Sequence, residues 1–256
     1  MNTLDHYKQA FNGVGWFIPP YVTMEFLSEL TRKILAKKIN DNGEVFDQQE
    51  LEKFLALIYS PENLAVMVTE RYPITPYVQD YKVIISEAIE AHFMGLDHVA
   101  VASLMPVLEG AGRKLANSRL VPVTSIKSVF HNLAINCRDD VIKNNIGAVG
   151  EIVSMMDSFI EFTDNHLYIQ SDNYPLTDKT NRHIILHGVY SDNDYGDPVN
   201  FYKAIAAVDF LCFISAFRAS ISWFAPSPTE SSNFLAAYYR VCMSIGRKKP
   251  NPAINL

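Results

Sequence analysis

The stretch that decides the fold is DPVNFYKAIAAVDFLCFISAFRAS, Asp197 to Ser220. Asp197 can cap a helix, and Pro198 suits its first position, where a missing N–H costs nothing. Between Lys203 and Arg218 the run from Ala204 to Phe217 is apolar and interrupted by Asp209. A membrane-spanning helix needs about 20 apolar residues, so this run reads as the buried helix of a soluble protein. A helix that is apolar all round needs other elements on every side.

Those other elements also read as helices. Thr23 to Lys38 places Phe26, Leu27, Leu30, Ile34 and Leu35 on one helical face, and Gln48 to Tyr59 does the same with Leu51, Phe54, Leu55 and Ile58. Ser60-Pro61-Glu62 predicts an N-cap with proline at the first position of a third helix through Val68. RYPITPY, Arg71 to Tyr77, carries two prolines and cannot be helical throughout. It is taken as the junction between an N-terminal helical unit, residues 1–76, and a main helical domain, residues 77–256. Beyond it, Val78, Tyr81, Ile85, Ala88, Ile89 and Phe93 share a face. Gly95-Leu96-Asp97 breaks that helix, with Asp97 a candidate cap for the next and Pro106 a candidate kink within it. Ser125 to Lys143, Val149 to Phe162 and Asn233 to Gly246 complete the helical segments, and no run of alternating strands is visible. The expected class is all-α.

Composition narrows the function. The 256 residues hold 22 Lys plus Arg against 28 Asp plus Glu, a formal charge of −6, which argues against a broad basic face for duplex DNA. Cys137, Cys212 and Cys242 are far apart and odd in number, so neither a disulfide framework nor a cysteine zinc site is expected. The first residues lack a basic segment followed by an apolar run, so no signal peptide is read and the expected location is cytoplasmic, with no membrane contact.

The densest chemistry lies in NRHIILHG, Asn181 to Gly188. His183 and His187 stand at i and i+4 on one helical face, with Arg182 offset by about 100°. Histidine moves protons near neutral pH, and arginine forks onto phosphate oxygens. Two plainer readings stand beside that one. A helical His pair can bind a metal, but Ile184, Ile185 and Leu186 between them supply no glutamate. Alternatively those three residues are core, and the histidines only hydrogen-bond to their neighbours.

Arg182-His183-Ile184-Ile185-Leu186-His187 resembles the hallmark of the HEPN superfamily of all-α domains: arginine, a polar residue, three further residues, histidine. The resemblance extends to an acidic, tyrosine-containing loop after HG, and to a following helix bearing Asn200 and Asp209. Upstream it reaches HVAVASLMPVLEGAGRKLA, with Pro106, Glu109 and Arg113. In all it spans roughly residues 77–217. It implies a HEPN-like helical bundle and a metal-independent, cofactor-free endoribonuclease of toxin, antiviral or stress-effector type. The expected substrate is single-stranded or looped RNA. Its expected state is a homodimer, with a cognate antitoxin or defence-system protein as a further partner. By that resemblance His187 is general base or acid for attack by the 2′-hydroxyl, and Arg182 holds the phosphate. His183 orients the pair, and Asn181 opens the motif. Glu109 supports Arg182 or a histidine, or else simply pairs with Arg113. The alternative within the same family is a non-catalytic module that binds a nucleotide or a partner.

Other features carry less. Arg113, Lys114, Arg119, Lys127, Arg138 and Lys143 are scattered and read as solvated surface rather than an RNA patch. Tyr168, Tyr174, Tyr190 and Tyr195 flank the motif and read as packing before base stacking. Trp223-Phe224 reads as an apolar anchor ahead of a loop.

Overall fold

The computed structural model describes residues 4–39, 46–169, 176–178, 180, 185 and 195–248. Among these there are ten α-helices and no strand, so the chain is all-α. Helix α1 (Asp5–Asn12) precedes a buried loop, Val14 to Pro20, and α2 (Met24–Ile39) follows it. Next come α3 (Gln48–Ile58), capped by the Asp47 carboxylate, and α4 (Pro61–Val66), capped by Ser60 with Pro61 at its start. A π-helical turn, Met67–Arg71, extends α4 before the proline-bearing stretch. Then α5 (Lys82–Phe93), α6 (Asp97–Ser118), α7 (Ile126–Asn144) and α8 (Val149–Phe162) run in succession. Two helices complete the described chain, α9 (Pro198–Ala216) and α10 (Glu230–Gly246).

The segment Asp197 to Ser220 does what its composition demands. Every residue of α9 from Val199 to Ala216 is buried, and α3, α6 and α7 pack against it. By length and composition alone α9 could cross a membrane, but its whole apolar window is covered by the protein's own helices. Its aromatic side chains knit the bundle together. Phe210 stacks on Phe159 of α8 at 4.0 Å between ring centres and meets Phe17 of the buried loop edge-on at 5.5 Å. Phe17 in turn contacts Phe162 at 4.9 Å. Phe201 stacks on the imidazole of His92 from α5 at 3.9 Å.

A single hydrophobic core runs from Leu4 to Cys242, and the expected boundary at residues 76/77 coincides with no gap in it. Helix α3 packs on α9, and α4 on α10. Arg71, expected in a junction, is instead 2% exposed. Its guanidinium donates to the carbonyls of Ser222 at 2.7 Å and Phe224 at 2.6 Å, tying the first third of the chain to the loop before α10. Asp97 opens α6 but does not cap it; its carboxylate lies 2.5 Å from His92 Nδ1, because a buried histidine competes for it more effectively than one helix N–H.

Removing a fully buried ring deletes many close contacts and leaves a void. Phe210→Ala is expected to cost about 3–5 kcal/mol in urea-induced unfolding. A loss below about 1 kcal/mol would show that α9 is not clamped by its aromatic neighbours.

Candidate functional site

Asn181, Arg182, His183 and His187 lie outside the described residues, as do Tyr174 and Tyr190. The segment's surroundings are described on both sides. Ile185 is helical and 7% exposed, packed into the main core, as expected for an apolar residue between the two histidines. Just ahead of the segment, Asp178 and Thr180 are 1% and 0% exposed. They belong to a polar cluster that neither composition nor spacing had marked.

At its centre, Lys203 of α9 points inward with no exposure and donates to Asp178 Oδ2 at 2.8 Å and to Gln48 Oε1 at 2.7 Å. Gln48 opens α3 and donates its own amide N–H to the carbonyl of Val14 at 2.9 Å. The Thr180 hydroxyl touches both the Asp178 carboxylate and the Asn200 side-chain oxygen. One hydroxyl hydrogen cannot serve two acceptors, and Asn200 Nδ2 is buried without a partner. Turning the Asn200 amide over removes the conflict at the hydroxyl: Nδ2 donates to Thr180, and Thr180 donates to Asp178.

His166 and Gly15 close the chamber. Burial and the neighbouring Lys203 cation push the His166 imidazole down to about 4, so it is neutral at ordinary pH and adds no second positive charge. Gly15 sits at φ +68°, a region that glycine enters freely. A Cβ there would meet Leu176 and come within 3.2 Å of Lys203 Nζ and 3.3 Å of His166 Nδ1. The loop, α3, α9 and the approach to the Arg182 segment therefore share one set of charge-assisted hydrogen bonds.

Of the supporting residues, Glu109 is partly buried on α6 and has an interaction partner, and Arg113 is exposed one turn further on. Pro106 is exposed within a continuous α6. Three of the six scattered basic residues are matched by acids. Lys114 pairs with Asp80 at 2.9 Å, Arg138 with Asp157 at 3.0 Å, and Lys127 with Asp164 at 3.6 Å. Arg119 is buried and donates to the carbonyl of Ile214 at 2.6 Å. These positions do not combine into a basic surface. Tyr168 is buried against Phe130, and Tyr195 meets His98 edge-on at 4.9 Å, so both act in packing. Trp223 stacks on Phe217 at 4.8 Å as an anchor, whereas Phe224 is exposed.

A second region surrounds Asp209, which the resemblance had named only as a residue of the helix after the motif. This carboxylate lies on α9, 5% exposed, and accepts from Tyr72 Oη–H at 2.8 Å. It lines a cleft of about 380 Å³ between the loop after α1, the end of α3, α4 and the loop before α10. Among the described residues no cluster of histidine, cysteine and carboxylate groups has metal-binding geometry. Comparison with protein-family models, curated proteins and solved structures finds no match.

The Lys203–Asp178 pair yields a test. Lys203→Met strands a buried carboxylate and is expected to cost about 3–5 kcal/mol in urea unfolding, while the double variant Lys203→Met/Asp178→Asn should recover at least half of that. Additive losses in the double-mutant cycle would mean that the two groups do not depend on one another.

Proposed function

We propose that the protein is a metal-independent endoribonuclease of HEPN type, with Arg182 and His187 carrying the reaction, His183 assisting, and Asn181, Glu109 and Arg113 in support. The observation that carries this reading is how the segment is held. Ile185 is sunk in the core, and Asp178 and Thr180 just ahead of it are locked to α9 by buried hydrogen bonds. Phosphoryl-transfer groups must be held within a fraction of an ångström to be effective, and a backbone anchored to a rigid helix meets that need.

In this reading RNA supplies its own nucleophile. The 2′-hydroxyl gives its proton to a histidine, and its oxygen bonds to the adjacent phosphorus. The bond from phosphorus to the 5′-oxygen breaks, and a histidine returns a proton to that oxygen. Arg182 compensates the charge that develops on the phosphate oxygens. The products are a 2′,3′-cyclic phosphate and a free 5′-hydroxyl. Under the same proposal the protein acts in the cytoplasm as a toxin or as an antiviral or stress effector, with a cognate antitoxin or defence-system partner restraining it. Purified protein should cut single-stranded RNA in EDTA and leave cyclic phosphate ends. Arg182→Ala and His187→Ala should each lower the rate by about 10²–10⁴-fold with helicity unchanged. Unchanged cutting in either variant would refute those roles, and RNA or nucleotide binding without cutting would favour the non-catalytic module.

The proposed homodimer is supported by α10. Phe234, Tyr238, Val241 and Ile245 are all exposed, Phe234 by 81%, and their spacing of four, three and four residues forms one stripe. Exposed Glu230 opens this helix, and exposed Arg247 and Lys248 close it, so an antiparallel second copy would set acid against base at both ends. Light scattering should report a dimer at micromolar concentration and a monomer for Phe234→Glu/Val241→Glu. A monomeric wild type would overturn the dimer, and an unchanged dimer in the variant would remove α10 from it.

A further inference from the structure

The cleft beside Asp209 has a chemistry of its own, and its described lining includes none of Asp178, Thr180 and Ile185. Its walls are largely apolar, with Tyr21, Phe26, Leu57, Met67 and Pro226 among them, and among the described residues Asp209 is the one acid lining it. The volume, about 380 Å³, is that of a small-molecule site. A carboxylate in such a place is costly unless a positive charge answers it.

The described residues answer it only in part: the Arg71 charge favours the carboxylate without pairing with it. Tyr72 satisfies part of the Asp209 carboxylate, and no lysine, arginine or histidine among them forms an ion pair with it. The nearby cation, Arg71, turns its two terminal nitrogens to the carbonyls of Ser222 and Phe224, and its guanidinium lies 5.3 Å over the Tyr21 ring. Tyr21 is held in a second unusual way. Its backbone has φ +64°, a region that a bulky side chain rarely enters, and its hydroxyl is buried without a partner. Strained backbone of this kind concentrates at ligand clamps. The cleft thus combines an apolar volume, an acid with no ion-pair partner among the described residues, an orphaned hydroxyl and a strained aromatic residue on its wall.

We infer that this cleft binds a small organic cation with an apolar body, its ammonium group on Asp209 and its hydrocarbon or aryl part against Tyr21, Phe26 and Met67. The ionisable groups facing Asp209 are Arg71 and Tyr72 from the π-helical turn and the residue after it, Tyr59 from the end of α3, Tyr21 from the loop, and Cys212 from α9 itself. All are neutral at ordinary pH except Arg71, which favours the carboxylate but is outweighed by burial; the empty acid is pushed up to about 7. Loading an ammonium therefore displaces a proton from a fraction of the molecules near neutrality, and binding tightens as the pH rises towards 8.

The probes are phenethylamine and its uncharged counterpart phenethyl alcohol, titrated calorimetrically into the full chain. At about pH 8 the amine should bind about tenfold or more tightly than the alcohol, and Asp209→Asn should remove that preference while leaving alcohol binding in place. Leu57→Trp, at a largely exposed position on the cleft wall, should weaken both probes with the fold intact. Equal binding of amine and alcohol to the wild type would overturn the inference, as would an amine preference that survives Asp209→Asn. Failure of both probes to bind overturns it as well. Because Arg182→Ala should leave amine binding untouched, loss of the nuclease reading and loss of this one are separable.

Discussion

An ammonium and a carboxylate 2.8 Å apart, with neither side chain reaching water, set the terms for the rest of this fold. Lys203 belongs to a helix with no outer side, so every polar group on it has to be answered from within the protein. Asp178 answers from the chain ahead of the Arg182 segment, Gln48 from the start of α3, and Gly15 allows the loop after α1 to come close enough to close the chamber. Burial lowers the affinity of the Lys203 amine for its proton, and the Asp178 charge opposes that effect. An ion pair of this kind adds little net stability compared with hydrocarbon, but it is intolerant of misplacement, since each partner alone is far worse than both together. Register between four separate pieces of chain is what it enforces.

Asp209, two turns along the same helix, shows the opposite solution. It has a tyrosine hydroxyl for company and no ion-pair partner among the described residues, and it faces a cleft rather than a sealed chamber. One helix thus carries a lysine held in an ion pair within the protein and an aspartate with no ion-pair partner among the described residues. The first of these makes structure, and the second leaves chemistry available.

The helices themselves were legible in the sequence, because apolar spacing and capping residues are local signals. Ser60-Pro61 and the all-apolar run after Lys203 lie where expected, and Val149–Phe162 agrees to the residue. Other features depend on partners far along the chain and leave no local trace. Asp97 looked like a cap until a buried imidazole five residues earlier claimed it, and Arg71 looked like part of a linker until carbonyls about 150 positions away accepted its hydrogen bonds. Asp178 and Lys203 are 25 residues apart, and neither belongs to a motif that would point to the other. The arginine and histidines at 182, 183 and 187 were singled out from type and spacing alone and lie outside the described residues, of which Ile185, Thr180 and Asp178 are nearest in the chain.

The place of α9 in the chain order also shapes how the molecule is made. Synthesis proceeds from the N-terminus, and eight of the described α-helices emerge before the central one does. Until then the inner faces of α3, α6 and α7 have nothing to close upon, and Gln48 waits for a lysine 155 positions downstream. The walls are built before the pillar. A nascent chain with that much uncovered apolar surface invites chaperones and is prone to aggregate if translation stalls short of residue 198.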